Sequence, residues 1–323
     1  MVKMCQKRGE YVKRLTAFLF FFFVLFFLPL SISHATINLP TSNGSGDEAG
    51  DSFTIVWVSD TQDMAYFGYG HPLGMMGEWI AENQKPLNIR YVVQTGDAVD
   101  NGASPWQWDR FDELYRQIDG KIPYISAAGN HEVKKNGYLE YLARPEVMRM
   151  PPEHVFEKGK ASYSTFDVNE RKFVIVAVGY GIEQDAVPWV NDVLRQHKDA
   201  TALLLFHDYM QSEGRFSKNG KAMFEQIVKP NPNVRLVLCG HVCGVSSRID
   251  PIDDNHDGVI DRTVTQMMYN YQHFKADCGQ LRTLTFHLND RSIDVTTYSP
   301  FTERYYRDYM FGDQYTFTLK DGF

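Results

Sequence analysis

Hydrophobic positions along this chain follow two rhythms. Short apolar runs at 53–58, 89–94, 123–128, 202–206 and 234–239, rich in β-branched and aromatic residues, read as buried strands. Helical periods lie between them. Residues 74–84 place Met75, Met76, Trp79 and Ile80 on one face, where core packing is their ordinary use. A second helix opens with Ser104 as cap and Pro105 at its first position, buries Phe111, Leu114, Tyr115 and Ile118, and ends at Gly120. Residues 138–142 look helical, and 144–155, with Pro145, Pro151 and Pro152, form an irregular excursion. The runs 162–168 and 172–178 make a hairpin turning at Asn169-Glu170-Arg171. A helix over 187–197 turns Trp189, Val190, Val193 and Leu194 inward, another covers 219–228, and the runs 263–271, 281–288 and 292–298 make the last third strand-rich. No repeat and no second linker appears. The pattern predicts one α/β domain over 52–323, a four-layer α/β/β/α sandwich of two mixed sheets flanked by helices.

The amino terminus breaks this rhythm. Lys3, Lys7, Arg8, Lys13 and Arg14 precede an apolar run over 15–30, and Ser33-His34-Ala35 offers small residues for cleavage. Residues 1–35 therefore read as a secretory signal peptide or, if uncleaved, as a membrane anchor, which would be the chain's one membrane contact. Residues 36–51, polar, Gly-rich and acidic, read as a flexible linker. Such a leader places the chain outside the cytoplasm, secreted or in the cell envelope. Losing it removes five basic residues and Glu10, a net +4, and takes the formal charge from −7 to −11. An acidic surface of that kind argues against nucleic acid as the main partner. Of the four cysteines, Cys5 leaves with the leader, so Cys239, Cys243 and Cys278 allow at most one internal disulfide.

Chemistry enters where the strands stop. The five runs end, in order, at Ser59-Asp60-Thr61-Gln62, Thr95-Gly96-Asp97-Ala98-Val99-Asp100, Gly129-Asn130-His131-Glu132, His207-Asp208 and Gly240-His241-Val242-Cys243. Gly-Asp after a strand is an ordinary turn, but five strand ends carrying ligand-type residues exceed what turn chemistry supplies. Aspartate, imidazole and an amide oxygen suit Mn, Fe or Zn. The candidates Asp60, Gln62, Asp97, Asn130, His131, His207, His241 and Cys243 are too many for one ion and point to two divalent transition metals sharing a carboxylate.

The motifs DTQ, GDAVD, GNHE, a lone His after a strand, and GHVC resemble, in order, those of the calcineurin-like metallophosphoesterases, from Asp60 to Cys243 and so over nearly the whole mature chain. They are similar to the DTQ and GHxC variants of secreted bacterial members. The resemblance implies a two-sheet sandwich and hydrolysis of a small phosphate mono- or diester by metal-bound hydroxide at a dinuclear centre. It also implies that Asp97 bridges both ions, that Asp60 and Gln62 serve the first, and that Asn130, His207 and His241 serve the second. His131 would contact the phosphate or protonate the leaving oxygen, with Asp100 orienting its imidazole. Gln62 and Cys243 stand where the family often has histidine; Cys243 is open to use as a ligand, as a disulfide partner of Cys278, or as an inert thiol. If both departures remove the first ion, the alternative is a non-catalytic, metal-stabilised binding protein.

Two further stretches draw notice. Asp253, Asn255, Asp257 and Asp261, with Gly258 at the turn, mimic the first positions of a calcium loop, yet Val264 stands where the bidentate Glu belongs, and a solvated acidic turn accounts for them better. Tyr66, Tyr69, Trp106, Trp108, Tyr209 and Tyr271 are candidates for an aromatic rim or for ordinary packing.

Overall fold

A computed structural model describes residues 50–134, 137–272, 275–306 and 316–323. The leader over 1–35 and residues 36–49 of the linker lie outside the described residues. In chain order the elements are β1 (Ser52–Val58), α1 (Gln62–Phe67), α2 (Pro72–Glu82), β2 (Ile89–Gln94), α3 (Pro105–Ile118), β3 (Tyr124–Ser126), α4 (Asn130–Val133), α5 (Gly137–Leu142) and α6 (Pro145–Met148). Then come β4 (Val155–Phe156), β5 (Ala161–Val168), β6 (Arg171–Val178), α7 (Glu183–Gln196), β7 (Thr201–Leu205), α8 (Lys218–Met223) with a π-helical turn after it, and β8 (Val234–Cys239). The remainder is β9 (Gly244–Ile252), β10 (Arg262–Asn270), β11 (Leu281–His287), β12 (Ser292–Ser299), β13 (Arg304–Tyr306) and β14 (Thr316–Leu319).

Among the described residues these strands make two mixed sheets of seven. One runs β13-β12-β11-β1-β2-β3 with β14 also on β12; the other runs β4-β5-β6-β7-β8-β10-β9. Strand alternation sorts the side chains. Phe53, Ile55 and Trp57 of β1 meet Phe173 and Ile175 of β6 and Leu203 and Leu205 of β7 between the sheets. Phe53 stacks on Phe286 at 4.7 Å and meets Phe173 edge-on at 5.0 Å, so aromatic packing closes the far end of that layer. The opposite faces, Val56 and Val58 in one sheet and Val174 and Val176 in the other, pack under α2 and α3 and under α7. Both faces of the central strands are covered, which is why they read as continuous apolar runs rather than as alternating ones.

Within each sheet the strands that carry the ligand-type ends run parallel. β1 is parallel to β2 and β2 to β3 in the first sheet, and β7 is parallel to β8 in the second. Each set therefore delivers its carboxyl ends to one edge of its sheet.

The elements differ from expectation in a few places. The helix expected over 187–197 begins at Glu183 and carries Pro188 in its interior. On α2 the buried positions are Leu73, Met76, Gly77 and Ile80, while Met75 faces solvent. The excursion over 144–155 contains the short α6 and a 3-10 turn. Gly50 and Asp51, assigned to the linker, already bond the domain: Asn169 donates to the Gly50 carbonyl and Asn289 to the Asp51 carboxylate.

Candidate metal centre

The strand ends are tied to one another before any side chain reaches inward. Thr95 N–H donates to the Val58 carbonyl and Asp60 N–H to the Gly96 carbonyl, both at 3.2 Å, holding the ends of β1 and β2 together. His241 N–H, just past β8 in the other sheet, donates to the Asp60 carboxylate at 3.0 Å, which links the two sheets at this edge. Asp60, Asp97 and His241 all adopt left-handed backbone, with φ of 50°, 52° and 71°. Aspartate and histidine tolerate that region better than most residues, but three together mark a site where the surrounding structure sustains strain. Gly96 shows the tightness: a Cβ there would stand 2.5 Å from His207 Nδ1.

The side chains converge on a small volume. His207, wholly buried, donates Nδ1–H to the Thr95 carbonyl at 2.9 Å, which leaves its Nε2 lone pair facing the centre. That Nε2 has Asn130 Oδ1 at 3.0 Å, Asp97 Oδ2 at 3.2 Å and His241 Nδ1 at 3.2 Å. One proton cannot satisfy three such neighbours, whereas a cation among them can. Asp97, His207 and His241 each offer an atom within 4.8 Å of the other two, the spacing of a shared ion. Beside them, Gln62 donates Nε2–H to Gln272 Oε1 at 2.5 Å and approaches Asp97 Oδ2 at 3.4 Å. Its own Oε1 is buried with no donor among the described residues, an arrangement that is costly unless a cation takes the lone pair.

Electrostatics point the same way. Burial, with Asp97 nearby, pushes the Asp60 carboxyl up to about 8. Burial works against the charge on His207, but Asp97 and Asp60 outweigh it and raise the imidazole to about 10. Burial likewise opposes the Asp97 charge, and His207 overcomes it and holds that carboxyl below its ordinary range. A pocket that draws protons onto both a histidine and an aspartate is short of positive charge. Oxygen and imidazole donors in that condition fit divalent Mn, Fe or Zn.

His131 stands at the rim, half-buried. Its N–H donates to Asp97 Oδ1 at 2.9 Å, and its Nδ1 faces the Asp100 carbonyl at 2.8 Å and the Asp100 carboxylate at 3.2 Å, leaving Nε2 toward the centre. Cys243 lies at the margin: its sulfur accepts from Gln272 Nε2 at 3.2 Å, and Cys239, Cys243 and Cys278 are all free thiols, so the disulfide alternative is not formed. Asp253, Asn255, Asp257 and Asp261 accept backbone N–H groups of their own loop, from His256, Asp257, Val259 and Asp254 respectively. Of the candidate rim, Trp108, Tyr209 and Tyr271 are buried, whereas Tyr66 and Trp106 are exposed.

Three contributors escaped the sequence reading. Glu132, fully buried, accepts N–H bonds from Gly129 at 2.6 Å, Asp97 at 2.9 Å and Val99 at 3.1 Å, and so binds the second and third loops together. Its place three residues after Gly129 is that of a capping-box glutamate, a signal available in GNHE. Gln272 and Tyr180 carry no such signal; Tyr180 lies 6.1 Å from both His207 and His241 rings.

A family model described as calcineurin-like phosphoesterase matches residues 53–244. The Bacillus subtilis (strain 168) protein "Uncharacterized protein YvnB" is 37% identical over 281 residues, covering 84% of this chain, which spans only 22% of that relative's length. A Moraxella catarrhalis (strain BBH18) protein named probable cyclic nucleotide phosphodiesterase is 26% identical over 207 residues, covering 59% of this chain and 71% of its own. Among solved structures, a dimetal phosphatase from Danio rerio aligns with a TM-score of 0.56 at 13% identity, over 83% of this chain and 98% of that one. A purple acid phosphatase from yellow lupin (Lupinus luteus) seeds gives 0.54 at 15% identity, over 83% and 54%. At such identities the two structures establish the shared fold.

Proposed function

The chain belongs to the calcineurin-like phosphoesterase family, and on that premise we propose that it is an exported, metal-dependent hydrolase that prefers phosphate diesters to monoesters. The observation that carries the proposal is the convergence of Asp97 Oδ2, Asn130 Oδ1 and His241 Nδ1 on His207 Nε2. Asp97 would be shared by two ions, with Asp60 and Gln62 on one side and Asn130, His207 and His241 on the other. Divalent ions bound there would supply Lewis acidity and a water activated at neutral pH. Thr95 fixes the His207 tautomer, and Glu132 holds the Asp97 loop in register. With its Nδ1 held by Asp100, His131 presents Nε2 to a phosphoryl or leaving oxygen. Cys243 reaches the centre through Gln272 rather than as a member of the converging set.

The diester preference rests on charge. Asp100 and Asp208 act on His131 and His241, and such surroundings suit a singly charged diester better than a doubly charged monoester. The Moraxella relative, named a probable cyclic nucleotide phosphodiesterase, agrees with it. Export is supported by the basic and apolar amino terminus.

Hydrolysis of bis(p-nitrophenyl) phosphate and p-nitrophenyl phosphate by protein loaded with Mn, Zn or Fe tests the proposal. The diester should turn over faster, Asp97→Ala should abolish release, and His131→Ala should lower kcat by about 10²–10⁴. Folded, metal-loaded protein that releases nothing from either ester would turn the centre into a binding site and overturn the catalytic reading.

A further inference from the structure

We propose that Tyr66 and Trp106 form a stacking platform beside the metal centre that holds a planar aromatic ring of the phosphate ester, as in a nucleotide. The inference rests on the phosphoesterase reading above and extends it to the organic part of the substrate. Gln62 and Tyr66 stand four residues apart on α1, hence on one helix face about 6 Å apart along the axis. Trp106 is the second residue of α3, which follows the loop bearing Asp97 and Asp100. The two rings lie 5.9 Å apart and are tilted by 46°, so they join α1, which opens at Gln62, to the start of α3. Phe67 meets Tyr66 edge-on at 4.8 Å and Tyr69 at 5.3 Å, which extends the aromatic surface beyond the end of α1.

These rings are open to solvent yet held in place. Tyr66 is 46% exposed, Phe67 57% and Trp106 46%, a contiguous aromatic patch of the kind that marks a binding surface. Arg110 of α3 donates to the Ala65 and Tyr66 carbonyls at 3.1 and 2.7 Å, satisfying the end of the six-residue α1, and its guanidinium lies 5.0 Å from the Trp106 ring. One residue thus ties the backbone beneath Tyr66 to the Trp106 ring. A preorganised pair of aromatic faces next to a phosphoryl-binding centre selects a ligand with a π-face at one end and phosphate at the other.

Isothermal titration of metal-loaded protein on a His131→Ala background, where slow turnover leaves ligands intact, compares inorganic phosphate, ribose 5-phosphate and adenosine 5′-monophosphate. The adenine compound should bind about tenfold tighter than ribose 5-phosphate, the order expected for one stacked base. Adding Trp106→Ala or Tyr66→Ala should remove that advantage and leave phosphate binding unchanged. Both positions are exposed, so unchanged circular dichroism and Tm should accompany the loss. Equal affinity for the two sugar phosphates, with phosphate still bound through the metals, would assign the patch to another occupant and overturn the proposal. Absence of metal-dependent phosphate binding would sink the reading beneath it, and the proposal with it.

Discussion

Gln62 owes its orientation to a neighbour 210 positions along the chain. Its amide nitrogen is spent on Gln272 and Asp97, so the oxygen that has no donor is the one left for an ion. Gln272→Ala frees the amide to flip; the expected outcome is loss of one of two equivalents of bound metal in a titration, with the overall fold intact. Retention of both equivalents would count against Gln62 as a ligand. Glu132 is a sharper case, because it satisfies three buried N–H groups from two loops. Glu132→Ala would strand them at roughly 1–3 kcal/mol each, a loss that a denaturant melt would register as a lowered midpoint. Glu132→Gln offers one oxygen in place of two and should fall between; equal stability for all three chains would refute the role.

A single methyl group tests how the strands deliver these residues. Gly96 has φ of 98°, and a Cβ on it would crowd His207 Nδ1, so Gly96→Ala should displace His207 from the Thr95 carbonyl. Metal affinity should then fall by at least about tenfold, as when an outer partner of a ligating histidine is lost, while the far-ultraviolet spectrum of the sheets persists. At this scale the sequence was most legible. The apolar runs became β1, β2, β3, β7 and β8 because both of their faces are covered, and α3 followed from Ser104, Pro105 and its buried stripe. Asp97, His207 and His241, from three of the five strand-end motifs, lie within reach of one another. What stayed hidden has physical reasons. α1 is too short for a helical period to show, and β9, with alternating burial, Gly244 and Pro251, looks like a loop until it pairs with β10. Gln272 and Tyr180 are assigned by tertiary packing alone, and so is the contact of Cys243 with Gln272. The rim candidates Trp108, Tyr209 and Tyr271 share the composition of Tyr66 and Trp106, and only burial separates them.

For the molecule as a whole, the metal centre couples folding to pH. In the metal-free chain Asp60 is raised to about 8 and Glu132 to about 7, each first by burial and then by Asp97. His207 is raised to about 10 as its carboxylate neighbours outweigh its burial. All three bind more protons folded than unfolded between their ordinary values and these raised ones, so stability falls as pH rises through that window. The histidine contribution is complete below about 6.5 and is lost toward 10, and the carboxyl contributions are lost between about 4 and 8. Asp97, held low, acts in the opposite sense, but its window lies below the ordinary carboxylate value and leaves the neutral range untouched. Bound divalent ions supply the positive charge that these protons otherwise provide, and they favour the deprotonated ligands. Chelated protein should therefore lose Tm steadily from pH 6 to pH 9, while metal-loaded protein holds or gains, so that the gap between the two widens with pH. Parallel pH profiles for the two forms would mean that the ions bind elsewhere and that Asp60, Asp97 and His207 form a proton-sharing cluster instead.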